Sequence, residues 1–235
     1  MQQNILALIP AYNESAQISD VVGRTGKILP VLVVDDGSTD QTAAKAVEAG
    51  AAVIRQRPNQ GKGAALIRGF QYAVAHGFDA VIMLDADGQH DPDKIPAFIE
   101  AFTHAETDLV IGVRDFSKMP IIWRCSNTIG KFMLSWAVGS EILDNQSGYR
   151  LLSSRLVQEM LKSQERGFEF EVEMIVVCLK RSWRLAWIPI QTIYAGEKSH
   201  IKPLHHVIHY FRIVRKAHRM MREKTKVQDE KNSKT

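Results

Sequence analysis

Asp85-Ala86-Asp87-Gly88-Gln89-His90 places two carboxylates two residues apart, directly after the apolar run Ala80 to Leu84. If the chain bends after that run, both carboxylates converge on one hard cation, and a glycine at position 88 permits the bend. Mg²⁺ and Mn²⁺ take oxygen ligands and share their shells with substrate phosphates. Gln89 adds an amide oxygen to the set. Alone, the motif is short, and the same residues also make an ordinary polar loop.

Two further clusters follow other apolar runs. Pro10-Ala11-Tyr12-Asn13-Glu14 comes after Ile5 to Ile9, and Asp35-Asp36-Gly37-Ser38-Thr39-Asp40 after Val31 to Val34. Asp-Gly-Ser by itself is a common turn. Together with Asp85 and Asp87, the clusters would line three strand ends of one sheet. There Asp36 can accept from a nucleobase N–H, Tyr12 can stack on that base, and a cation can hold a pyrophosphate.

A scaffold must bring these loops together. Buried strands are expected at 5–9, 31–34, 52–54, 80–84 and 109–113. Helices are expected to alternate with them, ending near Gly26, running from Thr39 or Asp40 to Ala49, and covering Gly61–His76 and Pro92–His104. That alternation predicts an α/β domain with a mostly parallel central sheet flanked by helices. Ligands of such sheets bind beyond the carboxyl ends of the strands. Farther along, helices are expected at Trp123–Val138 and Ser154–Ser163, with a polar turn at Asp144–Arg150 between them. Leu185–Tyr194 reads as extended. Phe168–Cys178 alternates Glu with apolar residues at first, yet is long enough for a helix. Nothing resembling a linker divides the chain.

With 45% hydrophobic and 24% charged residues in 235, the chain is an ordinary globular protein rather than a disordered one. Its 2 cysteines, Cys125 and Cys178, exclude a disulfide scaffold and fit a reducing compartment. Without a CxxC pair no structural zinc is expected, and the 8 histidines show no HExxH spacing. The formal charge of +4 is unevenly placed: residues 196–235 carry a net of +7, the rest −3. Such asymmetry suits a polyanionic partner. No run approaches the roughly 20 apolar residues of a spanning helix. The N-terminal apolar run lacks a basic flank and is broken by Pro10, so a signal peptide is not expected. The expected location is cytoplasmic, peripheral on the cytoplasmic face of a membrane.

Leu204 to Arg222 has helical periodicity. Leu204, Val207, Ile208, Phe211, Val214 and Met221 fall on one face, and His205, His209, Arg212, Arg215, Lys216, Arg219 and Arg222 are polar positions around it. A basic amphipathic helix of this kind suits an anionic membrane surface and equally suits packing on the domain with its charges in water. The expected organisation is one α/β domain at 1–203, this helix at 204–222 and a polar, disordered tail at 223–235.

Taken in order, Pro10-Ala11-Tyr12-Asn13-Glu14, Val33-Val34-Asp35-Asp36-Gly37-Ser38-Thr39-Asp40, Asn59-Gln60-Gly61-Lys62-Gly63 and Asp85-Ala86-Asp87 resemble family 2 glycosyltransferases, enzymes of the GT-A fold. Gly112-Val113-Arg114, Ser147-Gly148-Tyr149-Arg150 and Gly196-Glu197-Lys198-Ser199-His200 are similar to the dolichyl-phosphate mannosyltransferase and polyprenyl-phosphate hexosyltransferase group. The resemblance implies an inverting, metal-dependent enzyme with a nucleotide-diphosphate sugar donor, a GDP or UDP sugar, and a lipid phosphate acceptor. It implies that Pro10, Tyr12, Glu14 and Asp36 hold the nucleoside and that Lys62 lies near the donor. Asp85-Ala86-Asp87 would face the diphosphate, with Asp85, Asp87 and Gln89 around Mg²⁺ or Mn²⁺. Arg114 would approach the phosphate of acceptor or donor. Lys198 and His200 would sit on a basic loop that closes over the diphosphate.

Relatives often carry an arginine ahead of that basic loop, where this chain reads Gln191-Thr192-Ile193-Tyr194. The Glu-Asp pair and QxxRW motif of many alcohol-acceptor relatives are also missing. Glu169, Glu171 and Glu173 are candidate bases, although their spacing fits an exposed strand face or a helix equally well. A phosphate acceptor is already an anion and needs no base. Transfer to a sugar or other alcohol is the alternative within the family. A haloacid-dehalogenase-type phosphatase is disfavoured, because Gln89 follows Gly88 and three strands precede the motif. A nucleotidyltransferase would want a Gly-rich, Arg-containing loop after the first strand, and a non-catalytic binding module would not need Asp85 and Asp87. No nucleic-acid partner is expected.

Overall fold

The computed structural model describes residues 3–104, 106–118, 121–167, 169–191 and 212–223. Among them the strands are β1 (Ile5–Ala11), β2 (Val31–Asp35), β3 (Ala52–Arg55), β4 (Ala80–Met83), β5 (Leu109–Arg114), β6 (Arg150–Ser153) and β7 (Leu185–Ile190). They form one sheet in the order β3-β2-β1-β4-β6-β5-β7. Only β6 runs against its neighbours, β4 and β5. The carboxyl ends of β1, β2, β4, β5 and β7 therefore share one edge.

The helices are α1 (Ile18–Thr25), α2 (Thr42–Glu48), α3 (Lys62–Ala75), α4 (Ile95–His104), α5 (Ile121–Val138), α6 (Ser154–Met160) and α7 (Glu169–Lys180). Residues 212–223 are also helical and are labelled α8. Strands with both faces covered read as continuous apolar runs rather than alternating ones. In β1, Leu6 and Leu8 point to one core and Ile5, Ala7 and Ile9 to the other. Each of these leucine and isoleucine side chains contributes about 1.5–3 kcal/mol when fully buried. The first core is shared with α3, α5, α6, α7 and α8, and the second with α1, α2 and α4. The result is a sheet between two helical layers.

Gly69 explains how closely α3 lies on β1. A Cβ at that position would come within 2.2 Å of the Leu8 side chain, so the close approach requires glycine.

Several boundaries differ from expectation for identifiable reasons. Neither Thr39 nor Asp40 occupies the cap of α2; that position is Gln41, while the Asp40 carboxylate accepts the Thr42 backbone N–H from one residue farther upstream. Pro92–Lys94 forms a 3-10 turn capped by Asp91, and α4 begins only at Ile95. The Glu169–Glu173 segment is helical and is not an exposed face. Phe170, Glu171, Val172, Met174, Ile175 and Val176 are all buried, so apolar residues surround the helix and obscure its period. Of the extended stretch 185–194, residues 192–194 lie outside the described residues. So do residues 204–211 of the expected C-terminal helix and the tail from 224.

Candidate active site

Three loops converge at the carboxyl edge of the sheet because they cross-link one another. The loop after β1 is tied to the loop after β2: Asn13 N–H donates to Ser38 Oγ at 2.9 Å, and Thr39 N–H donates back to Asn13 Oδ1 at 2.9 Å. Glu14 N–H donates to Thr42 Oγ1 at 2.8 Å. Asp35, fully buried, closes its own turn by accepting from Ser38 N–H at 3.0 Å, and it pairs with Arg55 on β3. Asp36 is buried as well and gathers the loop before α3, accepting from Gln60 N–H and Gly61 N–H at 2.8 Å each and from the Gln56 amide. With three of its roughly four lone-pair sites used, Asp36 holds the wall of the site while still lining it.

The Asn59-Gln60-Gly61-Lys62-Gly63 segment then turns into α3. Gly61 has φ +91°, and a Cβ on either Gly61 or Gly63 would come within 2.8 Å of the Arg166 backbone. Glycine there lets α3 begin against the loop before α7, with Gly63 N–H donating to Arg166 O at 2.9 Å. This places Lys62 between two acids: its Nζ lies 2.5 Å from Asp85 Oδ1 and 2.9 Å from Glu171 Oε1. Burial works against the ammonium, but the two carboxylates win and its pKa is raised. Burial likewise works against an ionised Asp85, yet Lys62, then His90 and Arg114, hold its carboxyl down at about 2.

The loop after β4 turns at Gly88, with φ +76°, and Gln89 N–H donates to Asp87 Oδ1 at 2.9 Å. Asp85 N–H donates to His90 Nδ1 at 3.0 Å, which places the proton of a neutral imidazole on Nε2. Burial lowers the His90 pKa, Asp85 opposes this, and Lys62 and Arg114 reinforce it.

The Ser147-Gly148-Tyr149-Arg150 block supports this loop from the other side. Tyr149 stacks on His90 at 5.0 Å and on Phe98 at 4.2 Å, and its hydroxyl donates to Asp91 O at 3.1 Å. Arg150 is fully buried and donates to the carbonyls of Ser147, Asn145 and Glu171. Burial lowers its pKa, against the pull of Glu171 and Asp144. One guanidinium thus joins the loop before β6 to the start of α7.

Pro10, Tyr12, Glu14, Asp36, Lys62, Asp85, Ala86 and Asp87, all named from sequence, line one open cleft of ≈ 360 Å³, together with Ala11, Asn59, Gly61 and Ala65. Gln89 and Arg114 stand outside this lining. Arg114, at the end of β5, makes a two-pronged contact with buried Asp144, Nε to Oδ2 at 2.7 Å and Nη2 to Oδ1 at 2.9 Å. Lys198 and His200 lie outside the described residues. Asp144, His90, Gly148 and Arg150 were given no site role by sequence reasoning. Their signal was present only as ordered blocks, without the spatial partners that explain them. Glu171, one of three equivalent candidates in sequence, is singled out by its contact with Lys62.

The family described as glycosyl transferase family 2 matches residues 7–161. The undecaprenyl-phosphate mannosyltransferase of Micrococcus luteus is 30% identical over 205 residues, covering 79% of this chain and 82% of that protein. The UDP-N-acetylglucosamine–dolichyl-phosphate N-acetylglucosaminyltransferase of Methanococcus voltae is 30% identical over 216 residues, 81% of this chain and 86% of its own. Among solved structures, the glucosyl-3-phosphoglycerate synthase of Mycobacterium tuberculosis, in complex with Mn²⁺, UDP-glucose and phosphoglyceric acid, superposes with a TM-score of 0.70 at 20% identity, covering 94% of this chain and 79% of that one. The fold is the GT-A type that the ordered motifs imply. With the family match spanning well over half of the sequence, the chain belongs to glycosyl transferase family 2.

Proposed function

We propose that this glycosyltransferase moves a hexose from a nucleoside-diphosphate sugar to a polyprenyl phosphate, with inversion at the anomeric carbon, while peripheral on the cytoplasmic face of a membrane. The observation that carries the reading is the single cleft lined by Tyr12, Asp36, Lys62, Asp85 and Asp87. It occurs in a chain about 30% identical to relatives named for undecaprenyl and dolichyl phosphates.

In this reading Tyr12, half exposed at the cleft mouth, stacks on the nucleobase. Asp36 and the backbone near Pro10 hold the nucleoside, and Glu14 borders it. Asp85 and Asp87 face the diphosphate. The donor set fits a hard cation: two carboxylates at a strand end, one of them firmly ionised. Among the described residues no group of 3 or more His, Cys, Asp or Glu could cage an ion. Phosphate and water oxygens would therefore complete the shell of Mg²⁺ or Mn²⁺, with Gln89 a further oxygen donor. Such a cation offsets negative charge developing on the leaving diphosphate.

Lys62 supplies a fixed positive charge at the amino end of α3, where the helix dipole has the same sign. Arg114, oriented by Asp144, faces the acceptor phosphate. Lys198 and His200, which lie outside the described residues, are proposed from the family resemblance alone to act on the donor diphosphate. A lipid-phosphate oxygen attacks the anomeric carbon as the bond to the nucleoside diphosphate breaks. The nucleophile carries no proton, so no general base is required, and Glu171 is left to hold Lys62.

The test is a panel of GDP and UDP sugars, scored for binding by calorimetry with and without Mg²⁺ or Mn²⁺ and for transfer to polyprenyl phosphate. Asp87→Ala is expected to lose turnover and weaken donor binding. Full turnover of that variant in excess EDTA would contradict the assignment.

A further inference from the structure

Three large apolar side chains of α5 face solvent: Ile129 is 61% exposed, Phe132 73% and Trp136 72%. Steps of three and four place them on one stripe of the helix. The opposite side is committed to the core through Leu134, Ala137 and Val138. Isolated exposed apolar residues are ordinary, but two aromatics and an isoleucine in one row mark an interaction surface.

This row meets α8. The Trp136 ring stacks on His218 at 5.0 Å with 6° between the planes. The apolar side of α8 is not available, because Ile213, Val214 and Ala217 are buried in the core. Arg212 and Lys216 are also committed, pairing with Glu165, Glu169 and Glu173 beside α7. Arg215, Arg219 and Arg222 remain, exposed and on the His218 side of the helix. Among the described residues none of the three has an ion-pair partner.

We infer that α5 and α8 together form a face that docks on an anionic bilayer, with Ile129, Phe132 and Trp136 entering the headgroup boundary and the three arginines meeting the headgroups. This rests on the reading of the acceptor as a membrane-borne lipid phosphate. Tryptophan favours that boundary, and arginines near an anionic surface are drawn to it. A second copy docked through the same face would put two sets of these arginines into one interface with no added acid to meet them, which is unfavourable. The face is also close in sequence to the site, because α5 follows the end of β5, where Arg114 lies. The apolar contact thus comes from α5, whereas α8 supplies charge.

The experiment is co-sedimentation of the full chain with phosphatidylglycerol-containing or purely phosphatidylcholine vesicles, beside size-exclusion chromatography and melting curves. The chain is expected to sediment with the anionic vesicles at low salt and to release as salt rises. A Phe132→Ser/Trp136→Ser variant and an Arg215→Gln/Arg219→Gln/Arg222→Gln variant should each lower partitioning by about tenfold or more, with unchanged melting. Partitioning indifferent to both variants would overturn the inference. So would a wild-type dimer that the aromatic variant dissociates. Transfer to polyprenyl phosphate in detergent needs no vesicle, and both variants should retain it. If that transfer occurs while partitioning ignores both variants, the docking face alone is wrong. If partitioning responds as expected but no transfer is seen, the acceptor reading fails.

Discussion

Gly148 abuts the Asp85 carboxylate so closely that a methyl group there would lie 2.6 Å from Oδ2, and 3.0 Å from both Oδ1 and the Lys62 ammonium. The atoms that would have to yield are side-chain ends, so the fold can absorb the change. The site cannot, because these are the groups assigned to the diphosphate. Gly148→Ala is therefore expected to lower kcat/KM by about 100-fold, the scale of an ångström-sized misplacement, with only a small fall in melting temperature. Steady-state kinetics beside a melting curve check this; normal kinetics would show that the Asp85–Lys62 contact is irrelevant to turnover.

The Arg114–Asp144 pair makes a different demand. Asp144 is fully buried and accepts from both Nε and Nη2 of Arg114. Removing the guanidinium takes the countercharge from this buried carboxylate and leaves it only the backbone N–H groups of residue 114, Gln146 and Ser147, at a cost of about 1–3 kcal/mol. Arg114→Ala should lose stability on that scale as well as turnover. Arg114→Lys keeps the charge but loses the fork, and should fall between them. Denaturant titration of the three proteins reads the order directly. An Arg114→Ala protein as stable as the parent would show that Asp144 does not depend on the guanidinium.

Asp40 carries a pH signature. Burial would raise its pKa, but the Thr42 hydroxyl and backbone N–H, and the Ser15 N–H, hold it down at about 2. An acid whose pKa is lowered on folding adds stability above its ordinary value, near 4, and that stability fades as pH falls towards 2. The loss arises because the unfolded chain takes up the proton first. Asp40→Asn should lack this component, so the parent and the variant should converge in stability between about pH 4 and 2. Urea melts across that range measure it; curves that stay parallel would contradict the role given to Asp40.

Cys178 illustrates a buried thiol with no assigned chemistry. Burial, with Asp108 nearby, pushes its pKa up to about 12. Since only the thiolate reacts, alkylation of Cys178 at pH 8 should be negligible in the native protein and rapid after unfolding. Peptide mapping by mass spectrometry distinguishes this site from Cys125. Rapid native labelling would mean that the site opens or is not buried.

The strands of the first half and their polar ends were legible because buried parallel strands are short apolar runs punctuated by turn residues. Eight residues named for the donor side do line one cleft. The second half was harder to read. In α7 burial on nearly all sides erased the helical period, and the carboxylate of Glu171 is explained only by Lys62, 109 positions earlier in the chain. Partnerships such as Arg114 with Asp144, or Arg150 with three carbonyls, depend on the antiparallel return of β6, which no local pattern announces. The stripe on α5 was hidden for the opposite reason, since apolar residues at helical spacing read as core whichever way they face.

The nucleophile proposed for this site is a phosphate. The measurement that reaches it most directly offers the purified chain undecaprenyl phosphate and undecaprenol side by side, with radiolabelled nucleotide sugars and Mg²⁺ or Mn²⁺, and analyses the lipid product. Labelled glycolipid is expected from the phosphate and none from the alcohol, because the free hydroxyl has no general base assigned to it. Transfer to undecaprenol or to a soluble sugar, with none to undecaprenyl phosphate, would contradict it.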